Sequence, residues 1–161
     1  QKSCCALAFG NSDNNKLFIA LKEKNTSYLC LWNTIKNTSP ESIVALPDYI
    51  EEIKNITIDS TDSTIGLLHN GNVKNQRYIS LFDVSQKIIT HRITTNIQWH
   101  FSAISLSHNT LSVLCKKYLG KKHYPPIDPY YYLAEFNLRK TPMSHMLKPL
   151  ENIHFNWCTK Q

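Results

Sequence analysis

The segment "YISLFDV" at residues 78–84 decides the fold, because the chain writes it three times. The first copy is "YLCLWNT" at 28–34, and the third is "YLAEFNL" at 132–138. Apolar and aromatic side chains dominate six consecutive positions of each copy, which is typical of a β-strand buried on both faces. An aromatic residue and then a turn-forming Asn or Asp close each copy, so each strand should end there. These pairs are Trp32 and Asn33, Phe82 and Asp83, and Phe136 and Asn137. We expect the three aromatic side chains to pack between neighbouring sheets.

A second element repeats upstream of each copy. It is a short apolar run, a cluster of Ser, Asp and Asn, and then another apolar run. Ser, Asp and Asn side chains bond to their own backbone and favour tight turns, so the element predicts a β-hairpin. The three hairpins should occupy residues 7–21, 56–69 and 103–115.

A weaker apolar segment follows each aromatic strand, at 42–46, 87–93 and 144–150. Four antiparallel strands that recur every ~50 residues are typical of propeller blades. We therefore predict an all-β chain, a β-propeller segment of about three four-stranded antiparallel blades plus the start of a fourth. The partial propeller should span residues 1–161, with blades at about 4–50, 54–96 and 101–150 and the next beginning at 152–161.

The closing aromatic-Asn/Asp pair resembles the Trp-Asp dipeptide of WD repeats. The turn pattern at Ser12, Asp13 and Leu17, and again at Thr61, Asp62 and Ile65, is similar to theirs. The resemblance implies degenerate WD-repeat-type blades from a larger scaffold protein of the cytoskeleton or cilium. Propellers run from about 4 to 8 blades, so the remaining blades of its own propeller are expected partners.

Composition limits the class of partner. The 161 residues carry a net charge of +6, which favours partners with acidic surfaces. No apolar run approaches the roughly 20 residues of a membrane span. The five cysteines include no C-x-x-C pair and favour a reduced, cytoplasmic protein.

The connection from Lys116 to Tyr131 is the best candidate for partner binding. It is long, three prolines stiffen it, and its lysines and tyrosines offer charge, stacking and hydrogen bonds. Its candidate contact residues are Lys116, Lys117, Tyr118, Lys121, Lys122, His123 and Tyr124.

No group of residues predicts catalysis, a metal site or a cofactor. The seven histidines are scattered, and the acidic cluster of Asp48, Glu51 and Glu52 is typical of a solvated loop. We predict a non-catalytic protein-protein interaction scaffold in a multi-subunit assembly such as a cytoskeletal or axonemal complex.

Two alternatives remain open. One is an extracellular or enzymatic β-propeller with a central ligand site. The innermost strands, at 7–9, 56–58 and 103–105, lack the repeated acids or histidines that such a site needs. The other is a nucleic-acid-associated basic propeller. Nucleic acid is the weaker prediction, because no RNP, KH or zinc-ligand spacing accompanies the lysines.

Overall fold

The computed structural model describes residues 3–12, 15–36, 39–71, 76–94, 99–117 and 130–138. These ranges form eleven β-strands. The first four are β1 (Ser3–Phe9), β2 (Lys16–Glu23), β3 (Thr26–Asn33) and β4 (Ser42–Ala45). The next four are β5 (Glu52–Ile58), β6 (Thr64–Asn70), β7 (Arg77–Asp83) and β8 (Ile88–Ile93). The last three are β9 (Trp99–Ser107), β10 (Thr110–Lys117) and β11 (Tyr130–Asn137). Within these ranges, no helix is long and apolar enough to cross a membrane.

The strands form three antiparallel sheets, and the all-β prediction is confirmed. Sheet 1 has the order β1-β2-β3-β4, sheet 2 has the order β5-β6-β7-β8, and sheet 3 contains β9, β10 and β11. Neighbouring sheets contact each other through their first strands. β1 lies beside β5, and β5 lies beside β9. The strand predicted at 144–150 and the blade start predicted at 152–161 lie outside the described residues.

Two apolar cores hold the sheets together. Between sheets 1 and 2, the side chains of Phe18 and Leu29 pack with those of Ile65, Leu67 and Phe82. Between sheets 2 and 3, the core is formed by Leu68, Ile79 and Leu81 from one side and by Phe101, Leu111, Val113 and Phe136 from the other. Sheet 2 therefore has an apolar interface on both faces, as its unbroken apolar runs require.

Close approach between sheets 2 and 3 requires a glycine in β6. A Cβ atom at Gly66 would lie 2.8 Å from Cγ2 of Thr57 and 3.4 Å from Cδ1 of Ile104. The Thr57 hydroxyl oxygen also accepts a hydrogen bond of 2.9 Å from the backbone N–H of Leu106 in sheet 3. Gly66 thus leaves room for the side chain that ties the two sheets together.

The aromatic residue of sheet 1 differs from the other two. Phe82 and Phe136 are only 3% and 1% exposed and lie in the two inter-sheet cores. Trp32 is half-buried. The expected packing against a neighbouring sheet is seen for Phe82 and Phe136, whereas no sheet in the described part of the chain packs on Trp32. Its partner in register is Leu17, which in turn faces the 61% exposed Phe9. These three residues lie on the outer face of sheet 1, and no other sheet covers that face in the described part of the chain.

The two outer faces of the stack differ in composition. The outer face of sheet 1 is apolar and includes the 56% exposed Leu7 and the 50% exposed Ile43. The outer face of sheet 3 is mixed: one row across its strands is Ser105, Ser112 and Glu135, and the next is Ala103, Leu114 and Leu133. The outer face of sheet 1 is therefore the more apolar of the two.

Candidate partner-binding end of the sheets

The connections between the strands lie at two ends of the three sheets, which we call the turn end and the basic end. The turn end holds the β1–β2, β5–β6 and β9–β10 turns, where Asn11 of sheet 1 contacts Asp62 of sheet 2. The basic end holds the opposite ends of β2, β6 and β10, together with the β4–β5 connection at 46–51. Here Arg77 of sheet 2 donates a hydrogen bond of 2.9 Å to the carbonyl of Phe101 in sheet 3.

Asp62 joins two sheets at the turn end. Its Oδ1 accepts a hydrogen bond of 2.7 Å from the backbone N–H of Asn11, and its Oδ2 accepts one from the Ser12 hydroxyl. Lys16 places its Nζ 3.7 Å from Oδ2. Burial alone would raise the pKa of Asp62, but these hydrogen bonds and the lysine charge hold it below its usual value. Asp62 is thus a structural carboxylate.

The other acidic and amide side chains at this end shape their own turns. Asp59 accepts hydrogen bonds of 2.8 Å from the backbone N–H and from the hydroxyl of Ser63. The Oδ1 atom of Asn33 accepts from the backbone N–H groups of Ile35 and Lys36 after β3 ends. Asp83 ends β7 and accepts a hydrogen bond of 2.8 Å from the backbone N–H of Gln86. Asn137, which follows the aromatic residue in the third copy of the repeated segment, is exposed and is the last residue of β11.

The basic end gathers cations from sheets 2 and 3. Lys116 pairs in register with His100 of β9, and Arg77 reaches the carbonyl of Phe101, the next residue. The pKa of His100 is lowered, first by burial and then by the charges of Arg77 and Lys116. Lys116 also places its Nζ 5.8 Å from the centroid of the Tyr131 ring. Arg77 and Lys116 thus place two positive charges on sheets 2 and 3 that an acidic group can approach, while Asp48 and Glu51 lie on the 46–51 connection at the same end.

Two of the predicted contact residues lie in a strand, which corrects the predicted loop. Lys116 and Lys117 belong to β10, paired with Tyr131 and Tyr130 of β11. The strands extend this far because consecutive tyrosines favour the pleated conformation, and the lysines occur in pairing register with them. Tyr118, Lys121, Lys122, His123 and Tyr124 lie outside the described residues.

A histidine that sequence patterns did not distinguish is buried between the sheets near the basic end. His69 is fully buried, and its Nδ1–H donates a hydrogen bond of 2.8 Å to the carbonyl of Asn70. Its Nε2 accepts a hydrogen bond of 2.8 Å from the Ser80 hydroxyl. Burial lowers the pKa of His69 to about 4, and the nearby charge of Arg92 acts in the same direction. The imidazole is therefore neutral at physiological pH.

Sequence patterns also missed a second feature of the basic end. Arg92, in β8, lies against the rings of Tyr49 and Tyr78. The three residues come from the β4–β5 connection, from β7 and from β8, so no local motif contains them. The only signal in the sequence was the aromatic character of the two tyrosines.

One cavity in the described part of the chain is too small for a typical ligand. A cavity of about 60 Å³ lies between sheets 1 and 2, lined chiefly by apolar side chains such as Phe18, Leu31 and Val84. This volume is far below the roughly 300–1,000 Å³ of typical ligand sites. Across the described ranges, no group of three or more His, Cys, Asp or Glu is placed to hold a metal ion. Four of the cysteines, Cys4, Cys5, Cys30 and Cys115, are free thiols, and Cys158 lies outside the described residues.

Comparison with known proteins finds similarity in fold. No family model matches the sequence, and no curated protein matches it. A chain of Kuenenia stuttgartiensis hydrazine synthase is 8% identical, with a TM-score of 0.53, over 84% of this chain and 51% of its own length. A structure of the RRP9 WD40 repeats is 11% identical over 87% of this chain and 62% of its own length, with a TM-score of 0.39. This chain thus spans about half the length of the hydrazine synthase chain. At such identity the likeness concerns the fold alone. The stacked antiparallel sheets make the chain an all-β segment of the β-propeller type.

Proposed function

We propose that the chain is a non-catalytic protein-protein interaction segment of a WD-like propeller. The observation that carries the proposal is the basic end, where Arg77 of sheet 2 reaches across to the Phe101 carbonyl of sheet 3 and Lys116 pairs in register with the adjacent His100. A surface built across two sheets is fixed before a partner arrives, so little ordering cost opposes binding. At the turn end, Asp59 is engaged by its own turn and Asp62 by the turn of sheet 1, which makes the basic end the better candidate for contact.

The proposed partner is a protein with an acidic surface. The chain carries a net charge of +6, and the basic end adds tyrosine rings to that charge. Tyrosine and arginine, here Tyr131 and Arg77, are enriched at protein interfaces. We propose a cytoplasmic setting in a larger cytoskeletal or axonemal assembly, in which the outer wall of a microtubule is one acidic surface of the required kind.

The second proposed partner is further blades of the same propeller. The outer face of sheet 1 supports this proposal. Its side chains occupy the same strand positions as the side chains of sheet 2 that pack on sheet 1. Trp32 corresponds to Phe82, and Leu17 corresponds to Ile65. A sheet with an apolar face, like the covered face of sheet 1, would bury them in the same way.

The charge-based part of the proposal has a direct test. Replacing Lys116, Lys117, Lys121 and Lys122 with serine should weaken co-sedimentation with microtubules roughly tenfold, since exposed ion pairs contribute about 0.2–1 kcal/mol each. Binding of the unmodified chain should also fall as salt is raised, because exposed charges are screened beyond about 8 Å at physiological ionic strength. The measurement is the bound fraction at several salt concentrations.

A matched control comes from the turn end. Replacing Lys87, which is exposed after β7, and Lys36 with serine removes charge without changing the basic end. That variant should bind like the unmodified chain, and circular dichroism should show both variants folded. If the four-lysine variant binds as tightly as the control at every salt concentration, the proposed role of these lysines is wrong.

A further inference from the structure

Arg92 is held in one orientation by aromatic rings at the rim of the cleft between sheets 1 and 2. Its guanidinium carbon lies 4.4 Å from the centroid of the Tyr49 ring and 4.2 Å from that of the Tyr78 ring. Both distances are within the roughly 6 Å over which a cation is attracted to a ring face. The arginine pairs in register with Ser80 of β7, which places it on the face of sheet 2 that looks toward sheet 1.

The tyrosine beneath the guanidinium is itself fixed. Tyr78 is 4% exposed, and its hydroxyl donates a hydrogen bond of 2.8 Å to Oε1 of Gln76. The ring lies so close to the backbone of Gly71 that a Cβ there would be 2.3 Å from it. On its other side it stacks on the His69 imidazole, with 5.8 Å between centroids and 19° between planes. The support for Arg92 is therefore rigid, down to the hydrogen-bonded histidine.

The edge of this guanidinium is available. Arg92 is exposed, and in the described part of the chain its contacts are the two rings, with no carboxylate in ion-pair reach. Asp48 and Glu51 lie near Tyr49 on the same connection, and the ion pairs found among the described residues join neither of them to Arg92. The nearby Glu52 is already engaged by Lys54, at 2.7 Å, and by the Asn70 amide, at 3.0 Å. A ring-stacked guanidinium directs its N–H donors along its edge in a fork that matches a carboxylate.

We propose that Arg92, oriented by Tyr49 and Tyr78, receives a carboxylate side chain of an acidic peptide segment in the partner. This inference rests on the proposed protein-binding function and deepens it by naming a specific contact. The residue lies at the basic end, as Lys116 does, but in the cleft between sheets 1 and 2, away from β10 and β11. An acidic segment that crosses the basic end would be attracted by the charge of the lysines. Its contact with Arg92 would in addition depend on geometry.

The test uses fluorescein-labelled hexaglutamate, with hexaglutamine as the uncharged probe, and follows binding to the full chain by fluorescence polarisation. Arg92→Gln removes the charge, and Arg92→Lys keeps the charge but loses the planar fork. Both should weaken hexaglutamate binding about 30-fold, the size of an interface hot spot. Tyr49→Leu, which leaves the charge in place, should weaken binding by a smaller factor because the fork loses one support. Hexaglutamine should bind none of the proteins.

Controls separate this inference from the broader proposal. Lys87→Ser at the turn end should leave hexaglutamate binding unchanged, and thermal melts should show that the Arg92 variants remain folded. If binding depends on Lys116, Lys117, Lys121 and Lys122 while Arg92→Gln binds like the unmodified chain, the Arg92 contact is wrong and the basic-end proposal stands. If Arg92→Lys binds as tightly as the unmodified chain, only charge matters and the fork is wrong. Failure of the unmodified chain to bind hexaglutamate would overturn both.

Discussion

Replacing Phe136 with alanine is expected to lower the free energy of unfolding by about 3–5 kcal/mol. The side chain is 1% exposed and lies in the core between sheets 2 and 3, with Leu111 and Leu106 in register beside it. Truncation would leave a cavity that the surrounding strands can fill only in part, because β6, β7 and β10 are hydrogen-bonded to strands on both sides. Urea-induced unfolding of the two proteins, followed by circular dichroism, measures the difference.

Trp32→Ala is the matched control, because the residue occupies the corresponding position in sheet 1. Trp32 is half-buried on the outer face, so its truncation should cost clearly less than that of Phe136. An equal loss would mean that the outer face of sheet 1 is covered in the protein under study. A loss below about 1 kcal/mol for Phe136→Ala would contradict the inter-sheet core described above.

Stability is expected to fall as the pH drops from about 6.5 toward 4, with His69 as a main cause. The pKa of His69 is about 4 in the folded chain, compared with 6.5 for an unperturbed histidine. Between these values the unfolded chain binds the proton and the folded chain does not, so protonation favours unfolding. The contribution is complete above pH 6.5 and decreases by about 1.4 kcal/mol per pH unit below it, for a total of about 3 kcal/mol.

The structural reason is the fixed hydrogen bonding of the ring. Nδ1–H donates a hydrogen bond to the Asn70 carbonyl, and Nε2 accepts one from the Ser80 hydroxyl. Adding a proton at Nε2 would therefore require the Ser80 hydroxyl to turn away, in a site without water contact. His100 shifts in the same direction but is only half-buried, so its share is smaller. Asp59 and Asp62, whose pKa values are lowered, lose their contribution only at still lower pH.

His69→Gln separates the histidine from these other groups. Glutamine offers a donor and an acceptor but does not titrate in this range. The free energy of unfolding of the variant, measured in urea at pH 7.5 to 4.5, should show a much shallower slope between pH 6.5 and 4.5. The absolute stability of the variant does not matter to this comparison. A slope equal to that of the unmodified chain would show that His69 is not the titrating group.

Strand positions were predictable because they depend on local pattern. The repeated apolar segment ending at Phe82 and Asp83 contains both the strand signal and its stop, and the structure places the end of β7 at Asp83. The polar cluster from Asp59 to Ser63 likewise contains the groups that form its turn. In both cases the residues that decide the structure are within a few positions of one another.

The cluster around Arg92 was not predictable for the opposite reason. Tyr49, Tyr78 and Arg92 come from separate segments, and their meeting depends on how sheet 2 packs on sheet 1. The same applies to Trp32, whose sequence pattern equals that of Phe82. Only the order of the sheets decides which of the two aromatic side chains is covered.

The position of sheet 2 between two others has a consequence for motion. In stacked arrays each unit is stabilised mainly by its neighbours, so a unit at either end opens by losing one interface and a central unit must lose two. Local opening should therefore begin in sheets 1 and 3, while β6 and β7, buried on both faces, stay closed longest. Amide protons of Leu67, Leu68 and Ile79 are expected to exchange with solvent more slowly than those of β4, the short edge strand of sheet 1. Tyr78, one of the two rings that hold Arg92, thus lies in the part of the molecule that is expected to fluctuate least.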